Sequence, residues 1–189
     1  MKNLEQRIAD ALREEVSLAP YDPDWPKLFA AEAEFLWNTL PNMIVKRIEH
    51  FGSTAVPGLA AKPIIDLLVE VSSLDDTTKE VVPLLESHGY DYFWRTDVKV
   101  PYPFFIKRDQ TGKRTHHIHM VEADSKGWDR LYFRDYLRSF PDEARHYETL
   151  KRALAEKHPN DRQGYTDGKS EFIVAVTEKA KHYFCGPRS

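Results

Sequence analysis

The stretch Ile64-Ile65-Asp66-Leu67-Leu68-Val69-Glu70-Val71 constrains this chain more than any other. It is densely apolar, rich in β-branched residues and too short for a good helix, so it reads as a buried strand. A carboxylate inside such a strand is costly unless it is paired, hydrogen-bonded or bound to a metal. Asp66 is therefore the residue to explain. Upstream lies Phe51-Gly52-Ser53-Thr54, and Lys62 stands between that turn and the strand. A glycine lets the backbone approach a ligand closely, and successive N–H groups in such a turn can cradle a phosphate. The serine hydroxyl adds a donor. Gly52, Ser53, Thr54 and Lys62 are thus candidate phosphate-binding residues, and Asp66 a candidate cation ligand. The bland alternative is a tight Gly-Ser turn, then a Pro-Gly turn, with a solvated lysine.

The rest of the pattern is mixed. The spacing predicts a helix over 26–40 burying Leu28, Phe29, Phe35, Leu36 and Leu40, with Tyr21 and Trp25 as core residues and Pro41 as its stop. A first core strand over 43–51 uses Met43, Ile44, Val45 and Ile48 and delivers His50 to the Gly-Ser turn. There His50 either meets a ligand or fixes the loop. A helix follows over 77–88, with Val81, Val82, Leu84 and Leu85 inside, an N-cap at Asp75 or Asp76, and Gly89 as its end. Phe104–Lys107 and His117–Val121 form a hairpin around Gly112. His117 and His119, two apart, point to one face of their strand and can reach one ion or one phosphate. Asp66 from a neighbouring strand would be a third ligand. The final third is helical: 126–139, 141–157, and 168–184 with Phe172, Ile173, Ala175, Val176 and Ala180 buried. Lys169 sits at the start of the last helix, where free N–H groups already favour an anion.

Phe51-Gly52-Ser53-Thr54-Ala55-Val56-Pro57-Gly58-Leu59-Ala60-Ala61-Lys62-Pro63-Ile64-Ile65-Asp66 resembles the signature of the bacterial GrpB family, the glutamate-rich proteins. That family is placed in the polymerase-β-like nucleotidyltransferase superfamily. The segment Tyr21-Asp22-Pro23-Asp24-Trp25-Pro26, the run Arg134-Asp135-Tyr136-Leu137-Arg138 and the Tyr165…Lys169 spacing resemble it too, so the likeness covers nearly the whole chain after residue 16. The superfamily pattern is a Gly-Ser turn followed by an acid-x-acid pair on the next strand. Asp66 matches the first acid, and Leu68 replaces the second. Glu70 is on the same face but about 13 Å along an extended strand, too far to share an ion-pair site.

The resemblance implies a nucleotidyltransferase-like domain over 16–189, preceded by a helical arm over 1–15. Its fold would be α+β, a mixed sheet with flanking helices and a C-terminal helical cluster. In its active form, Mg²⁺ or another divalent metal would sit at Asp66, with His117 or His119 standing in for the missing acid. Gly52, Ser53 and Thr54 would bind phosphate, and Lys62 and Lys169 would neutralise charge. In a catalytically inactive form the chain would keep a nucleotide or a coenzyme A-related ligand without the chemistry. Domains resembling this family also occur fused to dephospho-coenzyme A kinase. A third reading is an interaction protein using the tyrosine-rich helical end. Composition narrows partners further. A net charge of −3 gives no basic footprint for bulk nucleic-acid binding, although Lys99, Lys107, Arg108, Lys113 and Arg114 can form a local patch. One cysteine, Cys185, fits a reducing cytoplasm, and neither a membrane span nor a signal peptide is legible.

Overall fold

The computed structural model describes residues 15–96 and 100–186. The arm expected over 1–15 falls almost wholly outside them. α1 (Trp25–Thr39) begins beside Asp24, with Pro26 in its first turn, where a missing N–H costs nothing. β1 (Val45–Phe51) and β2 (Ile65–Val71) flank the Gly-Ser turn, which is a short 3₁₀ turn over Ser53–Ala55. α2 runs from Leu74 to Ser87 and starts earlier than its periodicity suggests, because the Ser73 side chain accepts from Asp76 N–H. A π turn over Thr77–Val81 precedes Pro83, where the Val82 N–H reaches back to Thr77 C=O. β3 (Asp91–Arg95), β4 (Tyr102–Arg108) and β5 (Arg114–Val121) complete the strands. α3 (Asp129–Ser139), α4 (Pro141–Lys157), the short α5 (Arg162–Asp167) and α6 (Ser170–Cys185) form the C-terminal cluster.

The fold is α+β. Its sheet has the order β1-β2-β5-β4-β3 and is antiparallel except for the β2–β5 pair. Side chains alternate between two covered faces. On one, Ile65, Leu67, Val69, Phe105, Ile118 and Met120 pack under Leu36 of α1 and Val81 and Leu85 of α2. On the other, Leu68, Phe93, Phe104, Ile106 and Val121 pack with Phe51 and meet Trp128 and Leu131. A third cluster joins the loop after the Gly-Ser turn (Val56, Leu59) to Phe133, Leu137, Tyr147 and Val176 of the helices.

Several sequence expectations change. Met43 is 80% exposed, and Leu28 and Leu84 are also exposed; Ala175 faces out as well. On α1 the buried stripe instead contains a carboxylate, Glu32. The short helix α5, which the broken periodicity near Gly164 and Gly168 hides, inserts the fully buried Tyr165. The basic patch is not one: Lys107 is ion-paired to Glu32 and Arg108 to Asp91, and Lys99 lies outside the described residues. Among the described residues no helix is long and apolar enough to cross a membrane.

Candidate functional site

β1 ends at Phe51, and the chain turns at Gly52 with φ 75°, a conformation that strains any residue with a Cβ. This glycine also lies directly against Asp66: a Cβ at position 52 would stand 2.5 Å from Asp66 Oδ2. The turn and the acid are therefore one unit, because only a bare backbone lets the strand carboxylate occupy that space. The loop that follows is held from outside. Arg138 Nε donates to Ala55 C=O (2.8 Å), Ala60 N–H donates to Glu148 (3.0 Å), and the Lys151 ammonium donates to Ala60 C=O. Ala61 forms a two-way backbone bridge with Ala19.

The parallel register sets Asp66 beside His117 and Leu68 beside His119. Asp66 and the two histidines thus meet on the face that carries Phe104 and Ile106. His117 Nδ1 is 3.1 Å from Asp66 Oδ1, and one ligand-type atom from each of Asp66, His117 and His119 lies within 4.8 Å of the other two. Burial holds the His117 and His119 imidazoles below the usual range. Asp66 pulls the other way at His117, while Arg130 pushes His119 further down. Neutral imidazole is the form that can ligate a metal.

The lysines converge on the same place. Lys62 Nζ lies 4.9 Å and Lys169 Nζ 4.3 Å from the centre of the Tyr165 ring, so two ammonium groups share one aromatic platform. Burial, with Arg162 and Lys169 nearby, lowers Lys62 to about 6; burial, opposed by the attraction of Asp66, lowers Lys169 to about 8. Neither has a carboxylate within ion-pair distance among the described residues. Ser53 is half-buried, and the Tyr147 hydroxyl faces its side chain.

Two residues of the turn serve the loop and not its open side. Thr54 is buried, and its hydroxyl bonds His50 Nε2 (3.0 Å) and donates to Ile64 C=O (3.4 Å). His50 stacks on Phe29 at 4.7 Å and is driven by burial to about 4, so it stays neutral at physiological pH. The structure therefore brings together Gly52, Ser53, Lys62, Asp66, His117, His119 and Lys169, and sets Thr54 behind them. Sequence reasoning missed Tyr102, Arg130, Arg162 and Tyr165. The Tyr102 hydroxyl contacts His119 Nδ1 at 2.9 Å and accepts from Arg130 Nη2 at 3.0 Å. None of the four stands near the Gly-Ser turn in sequence, and only the Tyr165-to-Lys169 spacing hinted at one of them.

A mixed five-stranded sheet, a Gly-Ser turn against a strand carboxylate and an aspartate–histidine cluster define the architecture. Comparison with known proteins places it. The sequence model of the family described as GrpB protein matches residues 15–179. A UPF0157 protein of Pseudomonas aeruginosa is 44% identical, over 93% of this chain and 72% of its own length. The glutamate-rich protein GrpB of Alkalihalophilus pseudofirmus is 40% identical, over 86% of this chain and 94% of its own. The crystal structure of the conserved protein GrpB from Enterococcus faecalis matches with a TM-score of 0.77 at 36% identity, covering 89% of this chain and 99% of that one. The chain belongs to the GrpB family. A protein of Mycolicibacterium paratuberculosis named as a dephospho-CoA kinase is 32% identical over 88% of this chain, which spans 44% of that protein.

Proposed function

We propose that the protein binds a phosphorylated small molecule, a nucleotide or a coenzyme A-related metabolite, at Gly52, Ser53, Lys62 and Lys169, beside a divalent cation at Asp66, His117 and His119. The observation that carries this reading is the pair of lysines on Tyr165. Lys169 keeps its proton at neutral pH, Lys62 takes one up when an anion enters, and neither has an acid within ion-pair distance among the described residues, so the pair suits an anionic ligand. Backbone at the Gly52 turn adds donors that suit phosphate oxygens. The relative named as a dephospho-CoA kinase supports coenzyme A derivatives as one ligand class to try.

Metal-dependent nucleotidyl transfer is the finer form of this proposal. It asks more of the site, since the reacting phosphate must be held by ions on several carboxylates. With Leu68 fully buried where a second acid would stand, binding is the better supported part. The test is calorimetric titration of ATP and of coenzyme A at fixed ionic strength, in wild type and in the double variant Ser53→Ala, Lys169→Ala. A tenfold loss, about 1.4 kcal/mol, is expected. Equal affinities, or no binding to either ligand class, would favour an interaction role for the exposed aromatic end at Tyr183 and Phe184.

A further inference from the structure

We infer that the seat formed by Asp66, His117 and His119 is built for a borderline transition ion, of the Fe²⁺, Co²⁺ or Zn²⁺ kind, and not for the Mg²⁺ that a nucleotidyltransferase-like fold would lead one to expect. This rests on the cation half of the function proposed above and sharpens it.

The donor set is the first ground. Mg²⁺ demands near-octahedral oxygen ligands and gives up its waters reluctantly, whereas imidazole suits the later first-row ions. An acid-x-acid strand would offer two carboxylates. Here β2 offers Asp66 and then Leu68, which is 0% exposed among Phe51 and Phe104 and brings no oxygen. The neighbouring strand supplies what β2 lacks: His117 is registered with Asp66 and His119 with Leu68. The result is one carboxylate and two imidazoles on one face, the set that in open sites holds a transition ion and leaves positions for a ligand.

Spacing is the second ground. Donors bound at about 2.1 Å lie roughly 2.9–3.4 Å apart, from octahedral to tetrahedral geometry. The Asp66–His117 separation of 3.1 Å is already in that range, and the third donor lies within 4.8 Å. Support around the ligands is the third. His119 is held at Nδ1 by Tyr102, whose hydroxyl is itself held by Arg130, and its ring packs against Phe104 (4.8 Å) and Phe51 (5.1 Å). Partners of this kind fix the rotation of a ligating imidazole, which makes Tyr102 a positioning residue. The aspartate is held as tightly, since Gly52 leaves no room for it to swing toward the turn.

Charge predicts coupling. Lys169 keeps its charge at neutral pH, so a lone dication enters against its field. An anion relieves that repulsion, so ion and phosphate should each tighten the other by the same factor.

The experiment uses the full chain, stripped of metal with a chelator and titrated calorimetrically with Co²⁺, Zn²⁺ and Mg²⁺, with and without inorganic phosphate. Co²⁺ and Zn²⁺ are expected to bind at one ion per chain, on the order of a hundredfold more tightly than Mg²⁺. Asp66→Asn and His119→Ala should each abolish that binding. Tyr102→Phe should weaken it about tenfold. His182→Ala, at an exposed histidine on α6, should change nothing. The wild-type preference among ions needs no variant to fold and decides the matter alone. Mg²⁺ binding as tightly as Zn²⁺, or Zn²⁺ binding that survives both ligand variants, overturns the inference. Phosphate binding with no ion preference also overturns it while sparing the phosphate pocket. The reverse result, ion selectivity without phosphate binding, supports the seat and removes the pocket.

Discussion

His116 and His117 are consecutive, yet each meets a different acid on a different face of the sheet. His116 faces α1, where Glu32 is only 3% exposed. That carboxylate accepts from the Tyr90 hydroxyl and from Lys107 Nζ, and His116 Nε2 stands 4.0 Å away. Phe35 and Tyr90 enclose the Lys107 ammonium. The carboxylate and the ammonium are matched one to one. His117 faces the other way, to Asp66, which is a quarter exposed and has one hydrogen-bond partner among the described side chains. Around it lie Lys62 and Lys169, and neither has a carboxylate within ion-pair distance among the described residues. A buried acid whose lone pairs the protein itself satisfies is a structural part. One beside lysines that have no ion-pair partner among the described residues is arranged for something the chain does not contain.

The largest effect should come from breaking the closed side. Glu32→Ala leaves Tyr90 and Lys107 without their acceptor and is expected to cost about 3–5 kcal/mol in urea unfolding. Asp66→Asn in the same assay should cost less than about 1 kcal/mol, as expected for a partly exposed pair. A drop as deep as that of Glu32→Ala would erase the contrast.

Gly52→Ala sharpens it. With φ 75° and ψ −174°, Gly52 occupies a region essentially reserved for glycine, so a Cβ there carries about 1–3 kcal/mol of backbone strain and meets Asp66 Oδ2 at 2.5 Å. Gly58→Ala is the matched control, since Gly58 has φ 78° and nothing within 4 Å of its added Cβ. Gly52→Ala should lose more stability than Gly58→Ala by chemical denaturation, and only Gly52→Ala should lose its response to metal and phosphate. Equal binding in the two would detach the turn from the acid.

The smallest effect is a gain. Lys62 falls from its ordinary 10.5 to about 6 on folding, so the folded state binds protons less readily than the unfolded one. Its burden is absent above the unfolded value, grows as pH falls, and is complete below about 6. Wild-type stability should therefore rise with pH between those limits. Lys62→Met should flatten the rise and lift the neutral-pH melting temperature by roughly 2–4 °C per kcal/mol regained. The same variant should bind phosphate more weakly. A lower melting temperature would mean that Lys62 already has its counter-charge.

The sequence by itself determined most of the elements, α5 excepted, and part of the site. Asp66 betrays itself because a carboxylate in an apolar strand has no cheap explanation. His117 and His119 betray a shared face because strand side chains alternate. Gly112 and Gly89 mark where the chain must turn, and both adopt positive φ. These are local signals, set by residues a few positions apart. What tertiary structure decided is non-local. The parallel pairing of β2 with β5, across 51 residues between Asp66 and His117, is what sets imidazole beside carboxylate. Thr54 looked like a phosphate donor until His50 and Ile64 were found to hold its hydroxyl. His116 gave no sign of its acid, since Glu32 lies in a helix whose spacing marks it only as one position on a stripe. In the sequence Lys62 and Lys169 are two separate phosphate candidates, one after the Gly-Ser turn and one at a helix start. They become a pocket because the buried Tyr165 of a short helix offers both the same ring, and contact across that distance is fixed by packing and leaves no periodicity to read.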